Sequence, residues 1–186
     1  MKSYDNCPLK RAIQGKHCWI LEPYHETILG LSSPEIVYDY ISVLPEHKNL
    51  ILVNYEPNDD SINTNSLVGM FDILLHKNMI PTFIDADFCD TILNSGDDLI
   101  YIYNKCKKLH RDITISFTFS VRKVGLKPTL KWLHNNFPEI WFGLTKTPFY
   151  KPIWKYRQFA YTYGDCVHYR DSGGQMLTGI IKLKKQ

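Results

Sequence analysis

The stretch IPTFIDADFCD, residues 80–90, decides the fold. Its first seven residues are almost all apolar or β-favouring, and the run is too short for a core helix. Apolarity without clear alternation reads as a strand buried on both faces, the kind that parallel sheets contain. Charge then arrives at once, in Asp85, Asp87 and Asp90. A strand that ends in carboxylates raises two questions: what surrounds it, and what the acids are for.

Four more runs of the same character lie on either side: HCWILEP (17–23), NLILVNYEP (49–57), DITISFTFSV (112–121) and EIWFGLT (139–145). Helical patterns fill the intervals. SSPEIVYDYISVL (32–44) offers Ser33 as N-cap, Pro34 at the first helical position and Glu35 in the first turn. SLVGMFDILLHKN (66–78) puts Leu67, Met70, Phe71, Leu74 and Leu75 on one stripe. DDLIYIYNKCKKLH (97–110) opens on Asp97 and Asp98 and closes on Lys107, Lys108 and His110, so both ends oppose the helix dipole. KPTLKWLHNNFPE (127–139) stops before Pro138.

Alternating strands and helices predict βαβ units and a parallel sheet with right-handed crossovers. After Thr147 the helical period vanishes. RQFAYTY and QMLTGIIKL alternate like antiparallel strands around a turn-rich segment. The expected fold is therefore α/β, a three-layer Rossmann or flavodoxin-like arrangement. It has about five mostly parallel strands, helices on both faces and a C-terminal antiparallel hairpin extension. Residues 1–147 form the α/β domain, and 148–186 a basic-aromatic extension packed on it.

Composition supports a soluble chain: 186 residues, 44% hydrophobic and 22% charged. The five cysteines are scattered without a Cys-x-x-Cys pair, which argues for reduced thiols and against a disulfide framework or zinc knuckle. With no leader-like segment and no membrane-length apolar run, the sequence reads as cytoplasmic and without a membrane partner. The net charge of +3 hides an asymmetry. Glu56 to Asp98 carries nine carboxylates and one lysine, whereas Lys146 to the end carries eight Lys or Arg and only Asp165 and Asp171.

GDCVHYRDSGG (164–174) holds Gly-Asp-Cys and Asp-Ser-Gly-Gly, turns on which some proteases mount a nucleophile. The helical segments are incompatible with a chymotrypsin-like double barrel, and no Gly-x-Ser-x-Gly elbow is present. Between two antiparallel strands, Asp-Ser-Gly-Gly is ordinary hairpin composition. The protease reading is rejected.

In a parallel sheet, ligands gather beyond the carboxyl ends of the strands. The side chains delivered there are Glu22, His25 and Glu26; Glu56, Asp59 and Asp60; Asp85, Asp87 and Asp90; Ser120, Arg122 and Lys123; and Thr145, Lys146 and Thr147. Neither Gly-x-Gly-x-x-Gly nor a P-loop follows any of the first three strands, so NAD or ATP held by those motifs is excluded. What remains is rich in carboxylates. Asp85 and Asp87, two apart at a strand end, suit a hard cation such as Mg²⁺ or Mn²⁺ that would screen phosphate charge. Arg122, Lys123 and Lys146 are the candidate phosphate ligands. Glu22, His25 and Glu56 are the candidate acid–base groups, with His25 best placed to titrate near neutrality.

A strand ending in Asp-x-Asp occurs in metal-dependent glycosyltransferases, Toprim nucleases and haloacid-dehalogenase phosphatases. This chain departs from the last two, having Glu56-Pro57 where a Toprim domain has Glu-Gly and Cys89 where the phosphatase pattern has Thr. Over residues 49–147 the order ILVNYEP, HKNMIPTFIDAD, DITISFTFSV and KWLHNNFPEIWFGLT resembles a flavodoxin-like domain of the cobalamin-binding kind that precedes radical-enzyme barrels. The cobalamin-ligating Asp-x-His-x-x-Gly loop and the iron–sulfur cysteines of those proteins are not here, so the resemblance implies topology alone.

The C-terminal region interleaves Phe149, Tyr150, Trp154, Tyr156, Phe159, Tyr161, Tyr163 and Tyr169 with Lys151, Lys155, Arg157 and Arg170. Half of such aromatics alternate inward in a strand. The outward half suits nucleobase stacking, at about 1–3 kcal/mol per base, or a protein interface. The sequence thus predicts a small protein that binds a phosphate-bearing ligand at the strand ends, with Mg²⁺-dependent phosphoryl or glycosyl chemistry. The alternatives are a non-catalytic interaction or inhibitor protein, or a nucleic-acid-binding protein.

Overall fold

In a computed structural model of the chain, IPTFIDAD becomes the inner strand β3 (Phe83–Asp87) of a mixed sheet. The structure describes residues 27–30, 49–52, 66–88, 90–140, 147–153, 158–171 and 174–185. Besides β3 these form β1 (Thr27–Gly30), β2 (Asn49–Leu52), β4 (Ile113–Ser120), β5 (Thr147–Ile153), β6 (Gln158–Tyr163), β7 (Cys166–Asp171) and β8 (Gly174–Leu183). Three helices join them: α1 (Leu67–His76), α2 (Ile92–Cys106) and α3 (Leu126–Asn136). The fold is α/β. One eight-stranded sheet runs in the order β2-β1-β3-β4-β8-β7-β6-β5.

The first four of these strands are parallel. The remainder of the sheet is an antiparallel meander from β5 back to β8, which pairs with β4 along eight residues from Ile113↔Leu183 to Ser120↔Met176. The neighbour of β4 on its other side is β8, running antiparallel, and the strand expected over 139–145 is not seen at its first two residues. Glu139 and Ile140 lie in a turn, and 141–146 fall outside the described residues. The segment expected to be mere turn between RQFAYTY and QMLTGIIKL contains a further strand, β7. Two-residue connections flank it, between the Tyr163↔Cys166 and Asp171↔Gly174 pairs. Gly164 supplies a positive φ (62°) that such a tight connection needs. The expected strand at 17–23 and helix at 32–44 lie outside the described residues.

Register alone shows how the sheet's two faces differ. On β4, Ile113, Ile115, Phe117 and Phe119 point to one side and Thr114, Ser116, Thr118 and Ser120 to the other. β8 continues the division, with Leu177, Ile181 and Leu183 beside the first set and Thr178 beside the second. The apolar face is where α1, α2 and α3 dock: Met70, Phe71, Leu74, Leu99, Ile102 and Leu133 share one core with Phe117 and Phe119. Each fully buried side chain of this size contributes about 1.5–3 kcal/mol. The connections β2-α1-β3 and β3-α2-β4 step the same way across the sheet, so right-handed crossovers set α1 and α2 on one side.

Helix ends show where local signals operate. Ser66 Oγ accepts from the Gly69 amide and so caps α1. α2 starts at Ile92, with Thr91 as N-cap residue, rather than at Asp97. Asp97 and Asp98 therefore sit inside the helix, and Asp90 serves its N-terminus instead. Its Oδ1 accepts from the Thr91 amide at 2.6 Å, and Asn94 Nδ2 donates to both its carboxylate oxygens at 3.0–3.1 Å. Gly96, inside α2, leaves room for the ring of Trp132 on α3, which stands where a β-carbon would be.

Candidate functional site

β3 reaches the site through its period of two. Phe83, Asp85 and Asp87 project to the face opposite the helices, whereas Ile84 and Ala86 enter the helix-covered core. The two carboxylates are thus on one side of one strand, about 6.6 Å apart along it. They are buried, with 4% and 6% of their surface exposed.

Hydroxyl groups line the same face beside them. Asp85 stands opposite Ser116 on β4, whose Oγ donates to Asp85 Oδ1 at 2.6 Å. Asp87 stands opposite Thr118, and Thr118 opposite Thr178 on β8. Thr118 Oγ1 donates to Thr178 Oγ1 at 3.1 Å, and Thr178 Oγ1 donates to the Phe117 carbonyl at 2.7 Å. A polar row crosses β3, β4 and β8, made of two acids and three hydroxyls. Buried polar groups of this kind are stable only when hydrogen-bonded, which these short distances provide.

On the other side, Asp85 pairs in register with Gly30, the last residue of β1. β1 leads to β2 on one side and β3 leads to β4 on the other, so the connections leaving these two neighbours run in opposite directions across the sheet. That boundary is the topological switch point, where the carboxyl ends of parallel strands part and leave a crevice. Glycine at that register position places no side chain beside Asp85.

The cationic candidates follow β4. Arg122 and Lys123 occupy the turn before α3 and are exposed. Lys123 is near enough to Asp90 to help hold its carboxyl below the ordinary range, although the larger causes are the Asn94 and Thr91 hydrogen bonds. Arg122 lies over Gly174, whose missing β-carbon leaves the space that the guanidinium fills. Gly174 also has a positive φ of 136°, a second reason for glycine there. Lys123 and Asp90 therefore gather near the carboxyl end of β3, while Arg122 is drawn toward β8.

Glu22, His25, Glu56 and Lys146 lie outside the described residues, as do Glu26, Asp59 and Asp60. No group of three or more His, Cys, Asp or Glu able to hold a metal occurs among the described residues. The Asp85–Asp87 pair and its hydroxyl neighbours are all hard oxygen donors. That set suits Mg²⁺, which commonly takes one or two carboxylates and completes its shell with water and phosphate oxygens.

Sequence reading missed Ser116, Thr118 and Thr178. The signal for Ser116 and Thr118 was present in ITISFTFS, whose strict Ile/Thr, Ile/Ser, Phe/Thr, Phe/Ser alternation separates an apolar from a hydroxyl face; Thr178 on β8 joins them only through its pairing with Thr118. The C-terminal aromatics divide by the same rule. Tyr169 and Ala160 are buried together on the hydroxyl side, while Phe159, Tyr161, Tyr163 and His168 cluster on the other.

Among the described residues no helix is long and apolar enough to cross a membrane. A scan against protein-family models finds no match, and a search of curated proteins finds none. Function must accordingly be argued from the site itself.

Proposed function

We propose that the protein binds a phosphate-bearing ligand, a nucleotide or a molecule of similar charge, at the carboxyl edge of the parallel strands, with Mg²⁺ held by Asp85 and Asp87. The observation that carries this is the pairing of Asp85 with Gly30 across the β1–β3 boundary. It sets a buried acid pair where open parallel sheets receive ligands. The strand order 2-1-3-4 is also how a flavodoxin-like sheet begins, and a three-layer arrangement of that kind is part of the proposal.

Asp85 and Asp87 would coordinate the ion, with Ser116 holding Asp85 in its rotamer. The bound ion would supply positive charge against phosphate oxygens and polarise them. Lys123, and Lys146 on sequence grounds, would neutralise the remaining charge. Glu22, His25 and Glu56 are assigned by sequence alone as the acid–base groups of any phosphoryl or glycosyl transfer.

Thermal melting with Mg²⁺ and a panel of nucleoside diphosphates and sugar nucleotides tests this reading. A ligand at one hundred times its Kd stabilises the native state by about 2.7 kcal/mol, or roughly 5–11 °C in a chain this size. Asp85→Asn and Asp87→Asn should each abolish the shift. An unchanged melting temperature with every ligand, or a shift that survives both substitutions, would defeat it.

A second reading has one observation in its favour. Phe159 contacts Tyr161 and His168 at centroid distances of 5.6 and 5.0 Å, half-buried on the same side as Arg170. Rings beside a guanidinium suit base stacking or a protein interface. Salt-dependent retention on single-stranded oligonucleotides, lost in Phe159→Ala, would favour the nucleic-acid form.

A further inference from the structure

A cavity of about 300 Å³ opens at the opposite end of the central strands, where β4 begins and β8 ends. Its lining carries five cationic residues, Lys107, Arg111, Lys182, Lys184 and Lys185, and Glu139 as its single carboxylate among the described residues. Three separate parts of the chain bring them together: the end of α2 with the residues before β4, the turn after α3, and the last residues of β8. Five cations against one acid leave four positive charges around a small concavity.

Much of the negative charge nearby is already committed. Glu139 accepts from the Tyr103 hydroxyl at 2.8 and 2.6 Å and pairs with Lys107 at 3.6 Å. Asp112 pairs with Lys184 at 3.4 Å and accepts from the Lys185 amide at 2.7 Å, which holds the residues just after β8 against the start of β4. Arg111 and Lys182 make no ion pair among the described residues, and both are exposed. With Asp112 counted beside the lining the excess is three positive charges, and the α2 terminus adds a partial negative charge of only about one half. Like charges collected at a concave surface raise the local potential and concentrate anions.

Backbone geometry at the rim is also unusual. His110, itself in the lining, adopts a left-handed φ of 49°, uncommon for a residue with a β-carbon, and Arg111 follows it in the lining. Strain of this kind is held in place by surrounding structure and gathers at ligand sites. A guanidinium recognises phosphate through paired N–H donors, which the lysines support as point charges. The volume lies at the lower end of the roughly 300–1,000 Å³ typical of small-ligand sites.

We propose that this cavity is a second anion site, which takes the di- or triphosphate group of a small ligand on Arg111 and Lys185, independently of the acid pair at the opposite end. Because it needs no divalent cation, it separates experimentally from the first site. The test is calorimetric titration of the full-length chain with inorganic tripolyphosphate in low-salt buffer containing EDTA. Wild type should bind, and Arg111→Glu and Lys185→Glu should each weaken binding at least about tenfold, a loss of about 1.4 kcal/mol.

Two controls should bind as wild type: Lys127→Glu, an exposed charge in the first turn of α3 at the other end, and Asp87→Asn. Both lining residues are exposed, so the variants should melt like wild type; Arg111→Gln replaces Arg111→Glu should the charge reversal unfold the chain. Absence of binding by wild type overturns the proposal. Equal weakening by Lys127→Glu also overturns it, because the attraction is then diffuse. Loss in Asp87→Asn with retention in Arg111→Glu overturns it too, and moves the polyphosphate to the acid pair.

Discussion

Gly179→Ala probes the most consequential feature of the sheet, the insertion of β8 between β4 and β7. Gly179 stands opposite Phe117 on β4 and Cys166 on β7. An added β-carbon would lie 2.6 Å from Phe117 Cζ and 2.8 Å from Cys166 Sγ, well inside contact distance. Neither neighbour can step aside. Phe117 is fully buried and packs on Phe119 at 5.9 Å, and Cys166 is equally enclosed. Overpacking of this type costs about 1–3 kcal/mol. Replacing a strand glycine returns about 0.5–1 kcal/mol of backbone entropy. The two terms bracket a net change of about 0–2.5 kcal/mol; with both neighbours locked the upper part of that range is expected, about 1.5–2.5 kcal/mol, or roughly 3–10 °C in melting temperature. Urea denaturation monitored by tryptophan fluorescence reads it. Phe117→Leu removes the clashing ring edge, so in combination with Gly179→Ala it should be milder than the sum of the two single variants by about 1 kcal/mol. Wild-type stability in Gly179→Ala, or strict additivity in the double variant, would refute β8 as the neighbour of β4 in this register.

Other expectations are equally direct. Ser116→Ala removes the donor to a buried carboxylate and should destabilise by about 1–3 kcal/mol, measured by chemical denaturation, with Ser116→Thr milder. Burial pushes the Cys106 thiol up to about 12 and the Cys166 thiol higher still, so both should resist alkylation until the chain unfolds; rapid labelling of either in native protein contradicts their placement. Asp90 is held below the ordinary carboxylate range first by Asn94 and then by the Thr91 amide. A depressed folded value stabilises above the unfolded pKa and is lost as pH falls through the folded one. Asn94→Ala should therefore lower stability at pH 7, the difference closing below about pH 4, as urea midpoints at the two pH values will show.

Much of this architecture was legible where one physical signal dominated. The α1 stripe of Leu67, Met70, Phe71 and Leu74 is buried as its spacing implies. FIDAD is a strand with its acids on one side. Signals failed where two readings competed. ITISFTFS was taken as uniformly apolar, although its hydroxyl positions form the polar row beside Asp85 and Asp87. At α2 the carboxylates of Asp97 and Asp98 suggested a start, but Asp90 and Asn94 supply the hydrogen bonds that fix the true one. Sheet order was beyond local pattern altogether. Nothing within QMLTGIIKL says that it pairs with a strand sixty residues earlier rather than with its own hairpin alone; that pairing is a long-range packing result.

The site was half legible for the same reason. Asp85 and Asp87 were found from an abrupt change of polarity, and Asp90 was grouped with them, although its carboxylate works at the start of α2. Gly30 escaped notice because its importance lies in the register opposite Asp85, which only the assembled sheet defines.

Paramagnetic broadening by Mn²⁺ is the most direct test of the acid pair. Added to isotope-labelled protein with a nucleoside diphosphate, the ion should selectively erase the amide resonances of Gly30, Asp85, Asp87, Ser116 and Thr118 in wild type and spare them in Asp87→Asn. Broadening that misses these residues, or that persists unchanged in Asp87→Asn, would contradict a cation-assisted phosphate site at the β1–β3 boundary.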